Sequence, residues 1–187
     1  MNSFSNSAAI VGIGATEFSK ESGRSELQLS CEATLAALAD AGLTPKDVDG
    51  LVTFKMDNSS EIALARELGM GDLRFFSRVD YGGGAACGTV QQAAMAVATG
   101  VADVVVCYRG FNERSGQRYG QVQSWAATQI NSNGLDNAWS YPYGLSTPAA
   151  TVAMQARRYM HEYGATSRDF GVVAVADRKH AATNPNA

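Results

Sequence analysis

The sequence predicts an α/β layered fold with a mostly parallel sheet. Short apolar runs such as "AAIVGIG", "DGLVTF" and "ADVVVCY" alternate with longer stretches of helical spacing. Several of the helical stretches open on Ser or Thr caps or close on Gly. Strands that alternate with helices imply right-handed crossovers and a sheet covered by helices. With 187 residues, 45% hydrophobic and 18% charged, the chain can bury a substantial core.

The elements follow in order. The run from Ala8 to Val11 reads as a buried strand that leaves through a glycine turn. "SELQLSCEATLAALADAG" reads as a helix: Ser25 and Gln28 form a capping box, Leu27, Cys31, Leu35 and Leu38 share a face, and Gly42 suits the C′ position. "DGLVTF" is a short strand, "SSEIALARELG" a helix ending at Gly69, and "LRFFSRVDY" a strand. "YGGGAACGTVQQAAMAVATG" gives a helix that is small and apolar on all sides, which predicts burial. The unbroken run "ADVVVCY" reads as a central parallel strand. From about Gly110 to Tyr143 no periodicity is defensible, and so long a loop in a compact domain is usually functional. Thr147-Pro148 opens a helix that runs to Gly164, and Thr166 with Asp169 opens another that Asn184-Pro185 stops. The division expected is a core over 1–110 and a loop region with two closing helices over 111–187.

Composition excludes several classes of function. A net charge of −3 argues against nucleic acid, and the densest basic run, Arg109, Arg114 and Arg118, reads as a solvated loop rather than a phosphate site. Cys31, Cys87 and Cys107 have no regular spacing, which fits reduced thiols in a cytoplasm. No signal peptide precedes the first apolar run, and "AAMAVATGVADVVVCY" is broken by Gly100 and Asp103 before it could span a bilayer. Gly12 and Gly14 fit G-x-G, but Glu17 holds the third position, where its charge would repel a pyrophosphate. No P-loop is present, and His161 and His180 lie on separate helices without ligand spacing, so no metal site is expected. Cys87 is the candidate nucleophile, because a thiol after a glycine turn at a helix start is activated there.

"GGGAACGTVQQAAMAVATGVADVVVCYRG" resembles the central helix and following strand of the thiolase superfamily. "YPYGLSTPAATVAMQARRYMHEYGATSRDFGVVAVADRKHAATNPNA" is similar to its sterol-carrier and lipid-transfer-protein branch. "IVGIGATEFSK", "DVDGLVTF" and "LRFFSRVDYGGGAAC" resemble the lipid-transfer aldolases that act on steroid side chains. The resemblance covers essentially the whole chain and implies the amino-terminal half of a thiolase-like fold with a loop and helical insertion. It implies that the fifth strand and the carboxyl-terminal half lie beyond Ala187, this chain being an amino-terminal fragment or a half that needs another chain.

The resemblance also bears on Cys87. Counting back from Gly100 by the family's spacing places the nucleophile position at Gly83, and Cys87 one turn into the helix as a packing residue. Glycine cannot form an acyl-enzyme, whereas retro-aldol cleavage needs none. The implied activity is therefore cleavage of a steroid β-hydroxyacyl-CoA to a ketone and propionyl-CoA, with the acid–base tyrosines beyond Ala187. No cofactor is implied beyond the coenzyme A of the substrate. Gly83 and Gly84, with Ala85, are the expected substrate contacts, joined by Cys87 and by Tyr143 in the "YPYG" loop; Tyr81 and Tyr141 flank these positions. The implied partners are a second copy, through the strand from Leu73 to Asp80, and an OB-fold acyl-CoA-binding protein of the DUF35 type. Two other readings stay open: a cysteine-dependent thiolase or acyltransferase using Cys87, and a non-catalytic lipid or acyl-CoA binding module.

Overall fold

The computed structural model describes residues 5–54, 59–79, 86–112, 139–145 and 147–185. The chain forms two compact units, Met1–Ser115 and Gly116–Ala187. In the first, helix α1 (Glu26–Ala41) precedes strand β1 (Gly50–Phe54), helix α2 (Glu61–Leu68), strand β2 (Phe75–Val79), helix α3 (Gly88–Ala98) and strand β3 (Val105–Cys107). The second contains helices α4 (Pro148–Tyr163) and α5 (Ser167–Ala181). Among the described residues no helix is long and apolar enough to cross a membrane.

The sheet is parallel, with strand order β2-β1-β3. Every residue of β1 is buried between its two neighbours, and β3 lies at one end of the strands described. Register fixes the faces, since partnered residues share one side of a pleated sheet. Leu51 pairs with Phe76 and Val106, and packs with Leu38 of α1, Leu64 of α2 and Tyr108. Val52 pairs with Ser77 and Cys107 on the opposite face, where α3 lies. Helices thus cover both faces of the sheet.

The capping signals act largely as expected. Ser25 accepts from the Gln28 N–H at 3.1 Å, but the Gln28 amide donates to Glu32 at 3.0 Å, so only one half of the expected box forms. Thr166 and Asp169 form a reciprocal box, with the Thr166 N–H donating to the Asp169 carboxylate at 2.7 Å. Gly42, Gly69 and Gly164 end their helices in the left-handed region.

Three expectations are corrected. Residues 8–11 form no strand. The segment crosses α1 instead, leaving Ile10 and Ile13 74% and 77% exposed. The crossing needs glycine: a Cβ at Gly12 would overlap the Ala37 carbonyl oxygen, and one at Gly14 the Ala33 carbonyl oxygen. On α1 the buried residues are Leu29, Ser30, Thr34 and Leu38, whereas Leu35 is exposed, because Gly110 approaches so closely that small polar Ser30 faces inward. On α3 only Ala93 and Ala96 are buried, those being the positions laid on the sheet, while Val90 and Met95 are each 44% exposed.

Candidate functional site

The two ends of the sheet differ in chemistry. At the amino end, Asp49, Arg74 and Asp103 stand just before β1, β2 and β3 and bind one another. The Asp49 carboxylate accepts from the Val104 N–H at 2.9 Å and the Asp103 N–H at 3.0 Å, and from Arg74 Nε at 2.8 Å. Arg74 also pairs with Asp103. Burial pushes the Asp49 carboxyl up, but the Val104 N–H, Arg74 and the Asp103 N–H outweigh it and hold the group below its ordinary value. The knot ties three strand starts together.

The carboxyl end is where open parallel sheets present residues to ligands. Extended backbone after β3 alternates sides. Tyr108, Gly110 and Asn112 are anchored on the α1–α2 side. Tyr108 is buried and its hydroxyl donates to the Ser59 carbonyl at 2.9 Å. A Cβ at Gly110 would overlap the Ser30 hydroxyl. The Asn112 amide donates to the Arg24 carbonyl at 2.6 Å and accepts from the Ser22 hydroxyl at 3.1 Å. Arg24 in turn pairs with Glu17 and Glu32, so Glu17 serves a loop clamp beside α1.

The intervening residues belong to the α3 side. The Cys107 Sγ donates to the Thr89 carbonyl at 3.4 Å. Burial pushes its thiol pKa up, although the Thr89 bond works against that shift. The Arg109 guanidinium lies 5.4 Å from the Phe54 ring centre and 4.4 Å from that of Phe111, within cation–π range of both. Phe54 and Val79 end β1 and β2 on the same face, and Gly88, the first residue of α3, comes close enough that a Cβ there would be 3.4 Å from a Val79 methyl. Cys87 is the N-cap of α3 and is exposed.

The structure thus brings Cys87, Cys107, Phe54 and Arg109 to one edge of the first unit. Gly83, Gly84, Ala85 and Tyr81 lie outside the described residues, as do Arg114 and Arg118. Tyr143 sits in a short 3₁₀ turn of the second unit and is 81% exposed. His161 and His180 stand in the last turns of α4 and α5, and no group of acidic, Cys or His residues able to hold a metal occurs among the described residues. Sequence reading took Arg109 as part of a solvated loop and did not anticipate its place over the Phe54 ring. The usable signal was the alternation Cys107, Arg109, Phe111 continuing past the strand.

Residues 8–187 match the family model for the thiolase N-terminal domain. The chain is 72% identical over 183 residues to a 17-hydroxy-3-oxo-4-pregnene-20-carboxyl-CoA lyase of Mycobacterium tuberculosis, covering 98% of this chain and 47% of that protein. It is 71% identical over 187 residues to a steroid side-chain-cleaving aldolase of Thermomonospora curvata, covering 100% of this chain and 48% of that protein. Among solved structures, the Ltp2-ChsH2(DUF35) aldolase matches with a TM-score of 0.82 and 71% identity, over 96% of this chain and 44% of that one. The chain spans about half the length of the curated relatives it matches. Its parallel sheet with helices on both faces is the fold those matches require, and the chain belongs to the thiolase family, whose amino-terminal domain it carries.

Proposed function

We propose that the complete protein is a carbon–carbon lyase that cleaves the side chain of a steroid β-hydroxyacyl-CoA, and that this chain is its amino-terminal half. The observation that carries this reading is identity of 72% and 71%, over nearly all of the chain, to two relatives named for that reaction. In a 17-hydroxy steroid with a thioester on carbon 20, the hydroxyl is β to the thioester carbonyl. Removing the hydroxyl proton breaks the bond between carbons 17 and 20. A ketone forms at carbon 17, the electron pair moves into the thioester enolate, and protonation releases propionyl-CoA. The acid and base are tyrosines of the carboxyl-terminal half. In this reading Gly83, Gly84, Cys87 and Tyr143 are the residues of this chain that contact substrate. No cofactor is required beyond the coenzyme A that the substrate carries.

The protein works as a homodimer. β2 is an outer strand of the sheet, and Phe76 on it is 70% exposed, which suits pairing with its twin across a two-fold axis. A DUF35-type OB-fold protein completes the enzyme, a partnership supported by the likeness to the Ltp2-ChsH2(DUF35) aldolase. Three unpaired cysteines suit a reducing cytoplasm. The exposed position of Cys87 at the α3 N-cap favours a second reading, a cysteine-dependent acyltransferase.

The test uses the full-length protein with its OB-fold partner and 17-hydroxy-3-oxo-4-pregnene-20-carboxyl-CoA, with propionyl-CoA followed by chromatography and mass spectrometry. Cys87→Ala is expected to keep at least half of the wild-type rate. A loss beyond about a hundredfold transfers the reaction to covalent catalysis by Cys87. Tight binding without any product makes the protein a binding module.

A further inference from the structure

In α4 and α5 the sequence and the surroundings disagree. α5 carries no charge from Phe170 to Ala176, and the helical step of about 100° sets the side chains of "VVAVA" all around its axis. α4 carries none from Pro148 to Ala156, where only Thr151 and Gln155 interrupt the alanines, Val152 and Met154. A helix that is apolar on every side belongs in a core. Yet neither helix has a buried residue. Val175 is 69% exposed, and Val152, Met154, Val172 and Val173 are exposed with it. The ring contacts between the two helices lie at the turn that joins them, where the Tyr159 ring centre is 4.8 Å from that of Tyr163 and 6.3 Å from that of Phe170. They tie the end of α4 to the start of α5 and leave the valines uncovered.

We propose that the apolar surface of α4 and α5 is covered by the carboxyl-terminal half of the same polypeptide, the segment that follows Ala187. The inference rests on the reading of this chain as an amino-terminal half. The relatives 72% and 71% identical to it are about twice its length, which leaves as much chain again to supply the cover. A separate docking partner covers one patch and leaves a polar rim around it. An apolar ring such as that of α5 has to be enclosed from several sides, which is how a folded chain buries a helix in its own core. The occupant is thus the protein's own chain rather than its OB-fold partner, and the pairing between copies proposed above uses β2 instead.

The experiment uses the full-length protein with its OB-fold partner and two photo-cross-linkers. One is Val175→p-benzoylphenylalanine on α5. The other is photomethionine, a diazirine analogue close in size to methionine, incorporated in place of the natural methionines and read at Met154 on α4. After irradiation, mass spectrometry identifies the peptides joined to each position. Both positions are expected to join peptides beyond Ala187 of the same chain, with no shift to the mass of a dimer or of the complex on a denaturing gel. Attachment to residues before Pro148, to a second copy or to the OB-fold partner overturns the proposal, and so does the absence of any cross-link. If the larger side chain at Val175 prevents folding, the photomethionine result decides alone, because it leaves the packing nearly unchanged. Failure of the half reading shows separately, as a native protein of 19.7 kDa with no residue beyond Ala187 to be joined.

Discussion

Gly12 and Gly14 show how one pair of residues can imitate a cofactor motif while serving another purpose. Both lie where extended backbone presses on α1, with the Ala37 and Ala33 carbonyl oxygens occupying the space a Cβ needs. Neither obstacle is a flexible side-chain tip, so the backbone must move to admit a methyl group. Gly12→Ala is expected to destabilise the full-length protein by about 1–3 kcal/mol, read as a lower denaturation midpoint at unchanged m-value. Asp49 supports a pH prediction. Its carboxyl is held below the ordinary aspartate value, so its contribution is present above the unfolded pKa of about 4 and is lost as pH falls through the folded pKa. Asp49→Asn should therefore be less stable than wild type near neutrality, and the gap should narrow in melts taken from pH 5 down to pH 2. A gap that stays constant over that range would show that the charge at Asp49 does not hold the knot.

At the scale of elements, β1 is buried throughout, while burial alternates along β2 because successive residues face opposite sides of the sheet and one side is covered less than the other. A strand between two others loses water on both faces and both edges; an outer strand keeps one edge open. The open edge of β2 and exposed Phe76 support the proposed pairing between copies. Phe76→Asp is expected to convert the dimer to a monomer in light scattering, with the helical circular dichroism unchanged. A dimer that survives the substitution removes β2 from the interface. The helices were the most legible elements because their ends are written in short-range chemistry: Ser25, Ser60, Thr147 and Thr166 at the starts, and Gly42, Gly69 and Gly164 at three of the ends. The segment from Ala8 to Val11 was misread for the opposite reason. Apolar, β-prone sequence sets a preference for extension, but where an extended segment packs is decided by tertiary contacts, and this one lies against α1 through Gly12 and Gly14.

At the scale of the whole molecule, the aldolase and acyltransferase readings divide over Cys87. Sequence spacing removed it from the nucleophile position, and the structure then placed it, exposed, at the start of α3. Exposure at a helix start permits reactivity without showing a use for it, so the alanine variant carries the decision. By itself, the sequence determined the layered α/β class, the caps and stops of most helices, the charge balance that disfavours nucleic acid and the family resemblance. These depend on residue type and spacing within a few turns of chain. Tertiary structure decided which strand is central, why Gly12 and Gly14 must be glycine, and that Arg109 lies against Phe54, a residue 2% exposed. Those outcomes depend on pairing and close approach between residues far apart in the chain, and no local pattern records which distant neighbour will arrive.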